Sequence, residues 1–385
     1  MRVSLAQALY IGPDILMLDE PTGHLDAPSV CWLEEYLTTQ CGEMILIVVS
    51  HDRIFLDNVC THILHLKDQK LTTYIGNFTS FQQQVARIME EQQNHYINTK
   101  AAIEHKEDYV RRFRYKASKA ALAQTRLRQI HELEKTLTGM LTPDPPIAFH
   151  FEMFSEAAQQ KIITLEDVGF SYPGKPIFEH LNFSVEKDSR LIIIGGNGTG
   201  KSTFVKLLMQ ELKPTEGLLQ SIHNLRIGYF CQHHVDQMDY NTTPIQFMVD
   251  RHGAQFDISV LRKYLGEFGI GGEISTRLIK SLSGGQKTRV VLASIAIIKP
   301  HLIIMDEITN NLDMDSIEAL GKALGEYPGA IIAITHDQKF AELVGGQIVI
   351  CEDGHLRTFN GTFSDYRKQI KTQIRSEFIK NFKEV

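Results

Sequence analysis

The stretch from Leu191 to Phe204, LIIIGGNGTGKSTF, limits what this chain can fold into more than any other. An apolar run from Leu191 to Ile194 ends in a glycine-rich turn, and Gly195 followed by Gly200-Lys201-Ser202 completes the pattern G-x-x-x-x-G-K-[ST]. The pattern needs a buried strand before it and an apolar helix after it, and both are written here. The glycines let backbone N–H groups close on a polyphosphate, the helix starting near Lys201 turns its positive dipole end toward the same charge, and the lysine reaches the outer phosphates. Gly195, Gly196, Asn197, Gly198, Thr199, Gly200, Lys201, Ser202 and Thr203 are thus the candidate nucleotide-binding residues, and Ser202 is placed to ligate Mg2+.

A length of 385 residues leaves room for about two to three domains with cores of their own. A net charge of −6 argues against a protein coated in nucleic acid, though not against a local basic patch. The five cysteines form no C-x-x-C pair and the sixteen histidines no H-E-x-x-H, so the thiols read as reduced ones in a cytoplasmic protein. His233-His234 lacks further ligands at metal spacing. Met1-Arg2 leads directly into a helix-like pattern with no signal peptide, and no run of 18 apolar residues offers a membrane span.

The chain repeats itself. Residues 1–26, MRVSLAQALYIGPDILMLDEPTGHLD, align without a gap on residues 288–313, TRVVLASIAIIKPHLIIMDEITNNLD, at an offset of 287. Arg2 meets Arg289, Asp19-Glu20 meets Asp306-Glu307, and Asp26 meets Asp313. VVSHD around His51 meets AITHD around His336, and YIGNFTSF from Tyr74 meets FNGTFSDY from Phe359, both at an offset of 285. Self-similarity over this length means a duplicated domain. The copies are unequal: the second has everything from Lys161 onward, whereas the first starts where the second has reached Thr288. The expectation is a fragment or incomplete gene product, or a missing part supplied by another chain.

Strand-like and helix-like segments alternate in each copy, which argues an α/β fold with a largely parallel core sheet. Strands are expected near 162–172, 181–185, 191–194, 226–230, 302–306, 330–335 and 347–351, with helices near 202–209, 285–298 and 316–324 and a helix-rich insert over 244–279. Residues 77–141 differ from both copies. Their apolar positions recur at Phe81, Val85, Ile88, Tyr96, Ile103 and Val110, then at Ala120, Ala123, Leu127, Ile130 and Leu137, a spacing that predicts two long amphipathic helices paired as an antiparallel hairpin. The resulting division is a partial first domain (1–76), a helical arm (77–141), a linker (142–160) broken by TPDPP, a complete second domain (161–370) and a tail (371–385).

A strand ending in a carboxylate pair beside a phosphate loop supplies metal and water chemistry: Asp306 would hold Mg2+ through water, and Glu307 would orient or deprotonate the attacking water. Asp19 and Glu20 are the first copy's counterparts. Leu282–Gln286, LSGGQ, precedes an apolar helix and reads alone as a serine N-cap with a glycine turn as readily as a ligand contact. In order along the chain, the glycine-rich loop, Gln232 after a GYF strand, LSGGQ, the D-E pair, Asp313 and His336 resemble the motif set of an ATP-binding cassette (ABC) domain. The tandem arrangement with a helical hairpin resembles the ABC-F subfamily, and segments such as FRYKASKA and IGYFCQHHVDQMD are similar to its eukaryotic third-member type, associated with control of translation. The sequence departs from the pattern at Gly196, Gly23, Ile308 and Asn311.

The resemblance implies a bound ATP with Mg2+. Tyr172 would stack on adenine, unless it is simply an edge tyrosine of its strand. Gln232 would couple the metal site to the helical insert, and His336 would hold the γ-phosphate and the attacking water, with His51 its counterpart in the first copy. Ser283, Gly284, Gly285 and Gln286 would face the nucleotide of the other copy in a head-to-tail sandwich. Neither composite site is then complete, and this chain is expected to bind ATP at the second domain and hydrolyse it poorly alone.

Between Tyr109 and His131 stand Arg111, Arg112, Arg114, Lys116, Lys119, Arg126 and Arg128 with no acid among them, and Phe113 and Tyr115 interleaved. Such a run can be a solvated face. At the tip and second helix of an arm it also suits RNA phosphates, with aromatics for stacking. By resemblance this arm is directed at tRNA on the ribosome. The leading reading is an ATPase acting on ribosomes or translation factors, and its rivals are a nucleotide-gated scaffold without turnover and the energising subunit of a membrane transporter.

Overall fold

The computed structural model describes residues 2–23, 25–40, 42, 44–67, 69–113, 120–138, 148–153 and 159–381. The chain forms, in order, α1 (Arg2–Tyr10), β1 (Ile15–Asp19), α2 (Ala27–Gln40), β2 (Ile45–Val49), α3 (Arg53–Val59), β3 (His62–Lys67), β4 (Lys70–Ile75), α4 (Phe78–Phe113) and α5 (Ala120–Thr138). The second repeat copy adds β5 (Lys161–Tyr172), β6 (Lys175–Glu186), β7 (Arg190–Ile194), α6 (Lys201–Leu208), β8 (Glu216–Ser221), β9 (Ile227–Cys231) and α7 (Gln232–Asp236). It continues with α8 (Pro244–His252), α9 (Ile258–Glu267), α10 (Gly284–Ala296), β10 (Leu302–Asp306), α11 (Met314–Gly325), β11 (Ala330–Ile334), α12 (Gln338–Val344), β12 (Gln347–Glu352), β13 (His355–Phe359) and α13 (Phe363–Asn381). Two compact units result, Met1–Phe55 with Ile147–Val385 and Leu56–Pro146, so residues 1–55 of the first copy cluster with the second copy.

The first unit is built on a six-stranded sheet of order β13-β12-β7-β11-β10-β9, parallel except for the β12–β13 pair. Its central strands read LIII, LIIM and AIIAI because both faces are covered. The strand period of two sends successive residues to opposite cores. Leu191, Ile193, Leu302, Ile304 and Ile332 join a core with α6 and the antiparallel sheet β6-β5-β8. Ile192, Ile194, Ile303, Met305 and Ile331 join the other, with α9 and α10.

The strand β6 begins well before the expected 181, because Lys175 to His180 continue the ladder with β5 through irregular register. β8 and β13 went unread in the sequence. EGLLQS and HLRTF are short and mostly polar, and tertiary pairing rather than propensity makes them strands.

In the same unit, β1 and β2 form a parallel two-stranded sheet. Leu16 and Leu18 are buried, but Ile15, Met17, Ile45, Ile47 and Val49 are exposed, Met17 at 72%. A contiguous apolar face beside open strand edges favours association. This chain is therefore expected to self-associate on size-exclusion chromatography, and Met17→Lys with Ile47→Lys to return it to a single narrow peak. Elution of the unsubstituted chain as a sharp monomer would count against that reading.

The second unit holds the β3–β4 hairpin and the helical pair. Lys106 reaches Gln129 at 2.9 Å, and Ile103 and Val110 of α4 pack on Ile130 and Leu133 of α5. The 36-residue α4 is stabilised by this seam and by Phe81, which meets the rings of His65 and Tyr74 at 5.1 and 5.0 Å.

Candidate functional site

β7 delivers the glycine-rich loop from the middle of the sheet, between β11 and β12. At Gly195 a Cβ would stand 2.4 Å from the Cys351 carbonyl oxygen of β12. Gly200 has φ 108°, and a Cβ there would stand 2.8 Å from Ile177, so only glycine turns this loop into α6. The buried Lys201 ammonium donates to the carbonyls of Gly195 and Gly196 at 2.9 and 2.7 Å. Its burial lowers its pKa, opposed by the negative charge of Glu307 and Asp306. Thr199 Oγ1 donates to the Gly196 carbonyl at 3.0 Å. Thr203 is buried and Ser202 is exposed in the first turn of α6.

Asp306 closes β10 in register with Cys231 and Ile334. At Glu307 the backbone turns left-handed, with φ 51°, and its N–H donates to the Ile334 carbonyl at 3.0 Å. That turn brings Glu307 Oε1 within 3.7 Å of His336 Nε2. Burial, then the charge of Lys201, pulls the His336 pKa down to about 4, so the ring is neutral at pH 7. Neither of its ring nitrogens has a hydrogen-bond partner among the described residues. A buried polar ring left this way is what a ligand site leaves behind.

The first copy repeats this corner. Glu20 has φ 45°, its N–H donates to the Val49 carbonyl at 2.8 Å, and Glu20 Oε1 lies 3.4 Å from His51 Nε2. Burial raises the Glu20 pKa, against the pull of His51. The pair is wetter than its counterpart, with the His51 side chain 49% exposed against 15% for His336. Asp19 ends β1 in register with Val49.

Gln232 starts α7 directly after β9. Ser283 caps α10: its Oγ accepts from the Gln286 N–H at 3.3 Å and its own N–H donates to Gln286 Oε1 at 3.1 Å, over an exposed Gly284 and a half-buried Gly285. The hydrogen bonds at Ser283 and Gln286 thus join these two residues to each other. Tyr172 ends β5 partly exposed, edge-on to Phe170 at 5.0 Å.

In the second unit, Arg111 is exposed and pairs with Asp108 at 2.7 Å, an acid one turn before the basic run. Arg126 is half-buried and Arg128 exposed on α5. Arg112 is the penultimate residue of α4, while Arg114, Lys116 and Lys119 lie outside the described residues. Among the described residues no three metal-ligating side chains cluster, and no helix is long and apolar enough to cross a membrane.

One contact at the loop escaped the sequence reading. Asp26 Oδ2 accepts the Asn197 N–H at 3.1 Å and lies 2.8 Å from Arg2 Nη2. Partial burial opposes its charge, but hydrogen bonds from Ser29, Asn197 and Arg2 outweigh that and hold its carboxyl at about 2. Its repeat counterpart Asp313 makes the same helix cap to the Ser316 N–H and pairs with Arg289 at 3.8 Å, but correspondence between copies does not announce a contact made from one copy to the other.

Comparison with known proteins agrees with this geometry. Residues 178–310 and residues 64–149 each match a family described as ABC transporter. The chain is 38% identical over 97% of its length to ABC transporter F family member 3 of Arabidopsis thaliana, covering 52% of that protein. It is 39% identical over 98% of its length to ATP-binding cassette sub-family F member 3 of Mus musculus, covering 53%. A probable sub-family F member 3 homolog of Encephalitozoon cuniculi is 38% identical over 96% of this chain, which covers 64% of it. The chain thus spans about half the length of the first two. With the α/β sheet, the glycine-rich loop and the matched families in agreement, this chain belongs to the F subfamily of ATP-binding cassette proteins.

Proposed function

We propose that this chain binds ATP with Mg2+ at the Gly195–Thr203 loop and couples its hydrolysis to contact with ribosomal RNA and tRNA through the basic arm, in the cytoplasm. The observation that supports the nucleotide reading best is the corner where Lys201, Asp306, Glu307 and a neutral His336, without a hydrogen bond among the described residues, converge on one glycine-rich loop. Entering phosphates would replace the loop carbonyls as partners of Lys201. Ser202 and Asp306 would hold Mg2+, with most of its ligands coming from phosphate and water. Bound there, the ion neutralises charge on the phosphates. Water attacks the γ-phosphorus, Glu307 takes the water's proton, and ADP leaves with the bridging electron pair, while His336 hydrogen-bonds the transferred group.

Turnover by this chain alone is slow in this reading, because the exposed Ser283–Gln286 turn would face the other copy's nucleotide and not the one held at Lys201. The same observation favours, as the second reading, a nucleotide-gated scaffold without turnover. Co-sedimentation with ribosomes tests the RNA part. Salt-sensitive binding that differs between ATP and ADP is expected, and loss of it when Arg112, Arg114 and Lys116 become Glu. Binding unchanged by that reversal would sink the RNA-contact role. ATP-dependent binding with no phosphate release would select the scaffold.

A further inference from the structure

The LSGGQ turn is held on both sides by the segment around Tyr240. Upstream, residues 279–281 make a short helical turn, and the Ile279 and Lys280 N–H groups donate to the carbonyls of Thr242 and Tyr240 at 2.9 and 3.0 Å. Downstream, the Lys287 ammonium stands over the Tyr240 ring, 4.3 Å from its centroid. A cation at that distance is drawn to the negative face of the ring. Ser283 to Gln286, closed by their reciprocal cap, lie between the two contacts.

Tyr240 itself sits in a closed turn. Asp239 Oδ1 accepts the Asn241 N–H at 2.9 Å, and Thr242 donates its N–H at 3.2 Å and its hydroxyl at 2.8 Å to the Asp239 carbonyl. α7 joins this turn to β9, and Val235 on α7 and Met238 beyond it are buried in the core that also takes Leu282 and Val290. At the other end of α7, Gln232 follows Cys231, which is in register with Asp306. The path from the Asp306 end of the sheet to the LSGGQ turn is thus packed or hydrogen-bonded along its length.

We infer that Tyr240 is a positioning residue: it fastens the LSGGQ turn to the Gln232 segment, so that nucleotide bound beside Lys201 and Asp306 sets the order of Ser283–Gln286. The inference rests on the nucleotide reading given above. In that reading the turn faces the other copy's nucleotide, so the contact joins one nucleotide site to the surface offered to the other. The two halves of the clamp make different demands. Any residue at 240 supplies the backbone carbonyl, whereas only an aromatic ring gives Lys287 a face. Lys287 lies in the first turn of α10, where the positive end of the helix dipole disfavours a cation, and the ring offsets that cost.

The test uses the full chain with Tyr240→Leu and Lys287→Met, beside the conservative Tyr240→Phe and Lys287→Arg. Tyr240 is 38% exposed, so these variants probe the contact and not folding. Hydrogen–deuterium exchange is followed over residues 195–203, 232–243 and 282–289 with and without Mg-ATP. Without nucleotide, exchange over 282–289 is expected to rise roughly two- to fivefold in Tyr240→Leu and Lys287→Met, the change that losing one partly exposed cation–π contact produces. Tyr240→Phe and Lys287→Arg are expected to stay near the unsubstituted chain. Mg-ATP is expected to slow all the segments in the unsubstituted chain, but only the first two in Tyr240→Leu and Lys287→Met. Slowing over 282–289 that survives in both variants overturns the inference, as does its absence in an unsubstituted chain whose 195–203 segment is slowed. An equal loss in Tyr240→Phe, which keeps the ring, overturns it too. If Mg-ATP slows no segment and Lys201→Ala alters nothing, the nucleotide reading fails instead, and the nucleotide-free comparison of Tyr240→Leu with Tyr240→Phe still decides whether the ring holds the turn.

Discussion

Glu307→Gln is expected to lower single-turnover ATP hydrolysis by roughly 10²- to 10⁴-fold while ATP binding stays within about twofold, the range that removal of a positioned general base produces. Glutamine keeps the size and the hydrogen-bonding reach of the side chain but cannot take the proton of the attacking water. The left-handed backbone at residue 307 is retained, so the effect reads chemistry rather than folding. Glu20 supplies the comparison, with the same backbone turn and the same histidine partner in the first copy. Its corner is more exposed, and the loop that holds Lys201 follows β7 beside Glu307, not Glu20. Glu20→Gln is therefore expected to cost at least tenfold less. Equal losses in the two variants would remove Glu307 from the role of base, and retained turnover in Glu307→Gln would do so outright.

The glycine-rich loop was legible because its residues are constrained locally. Gly200 must be glycine for its φ and for Ile177, and an apolar strand followed by an apolar helix announces the geometry. The two cores were legible too, since LIII, LIIM and AIIAI are short, β-branched apolar runs flanked by turn residues, the pattern of strands covered on both faces. β8 and β13 were not, because their stability comes from neighbours distant in sequence.

Asp26 and α13 were missed for another reason. A repeat shows which residues correspond, and correspondence points to similar roles, yet Asp26–Asn197 and Arg367–Glu34 are contacts between copies. The usable signal lay where the repeat fails: acids at 34 and 35 opposite bases at 367, 371 and 375, none of them matched in the other copy. In the same way, Asp108 lay one residue outside the basic run and still partners Arg111.

Arg367→Ala is expected to destabilise the first unit by about 3–5 kcal/mol in urea unfolding, because removing one partner strands a buried charge. Arg367 is 6% exposed and faces Glu34, Asp52 and Cys31. Without it Glu34 retains Lys371, but Asp52, already raised in pKa by burial with Arg367 as the leading opposing charge, loses that support. Glu34→Ala leaves the guanidinium facing Asp52, so its cost is expected at the lower end of the range. The pH dependence separates the two cases. An acid whose folded pKa lies above its unfolded value costs stability when ionised, and that cost disappears as pH falls through the folded pKa. Removing Arg367 moves the folded pKa of Asp52 further up, so the deficit of Arg367→Ala relative to the unsubstituted chain is expected to shrink as pH is lowered from about 8 toward Asp52's raised folded pKa. The deficit of Glu34→Ala is expected to grow over the same window, because protonating Asp52 there leaves Arg367 with no ionised partner. Parallel curves for the two variants would show that packing around Ile370 and Ile374, and not the charge, holds α13 on α2.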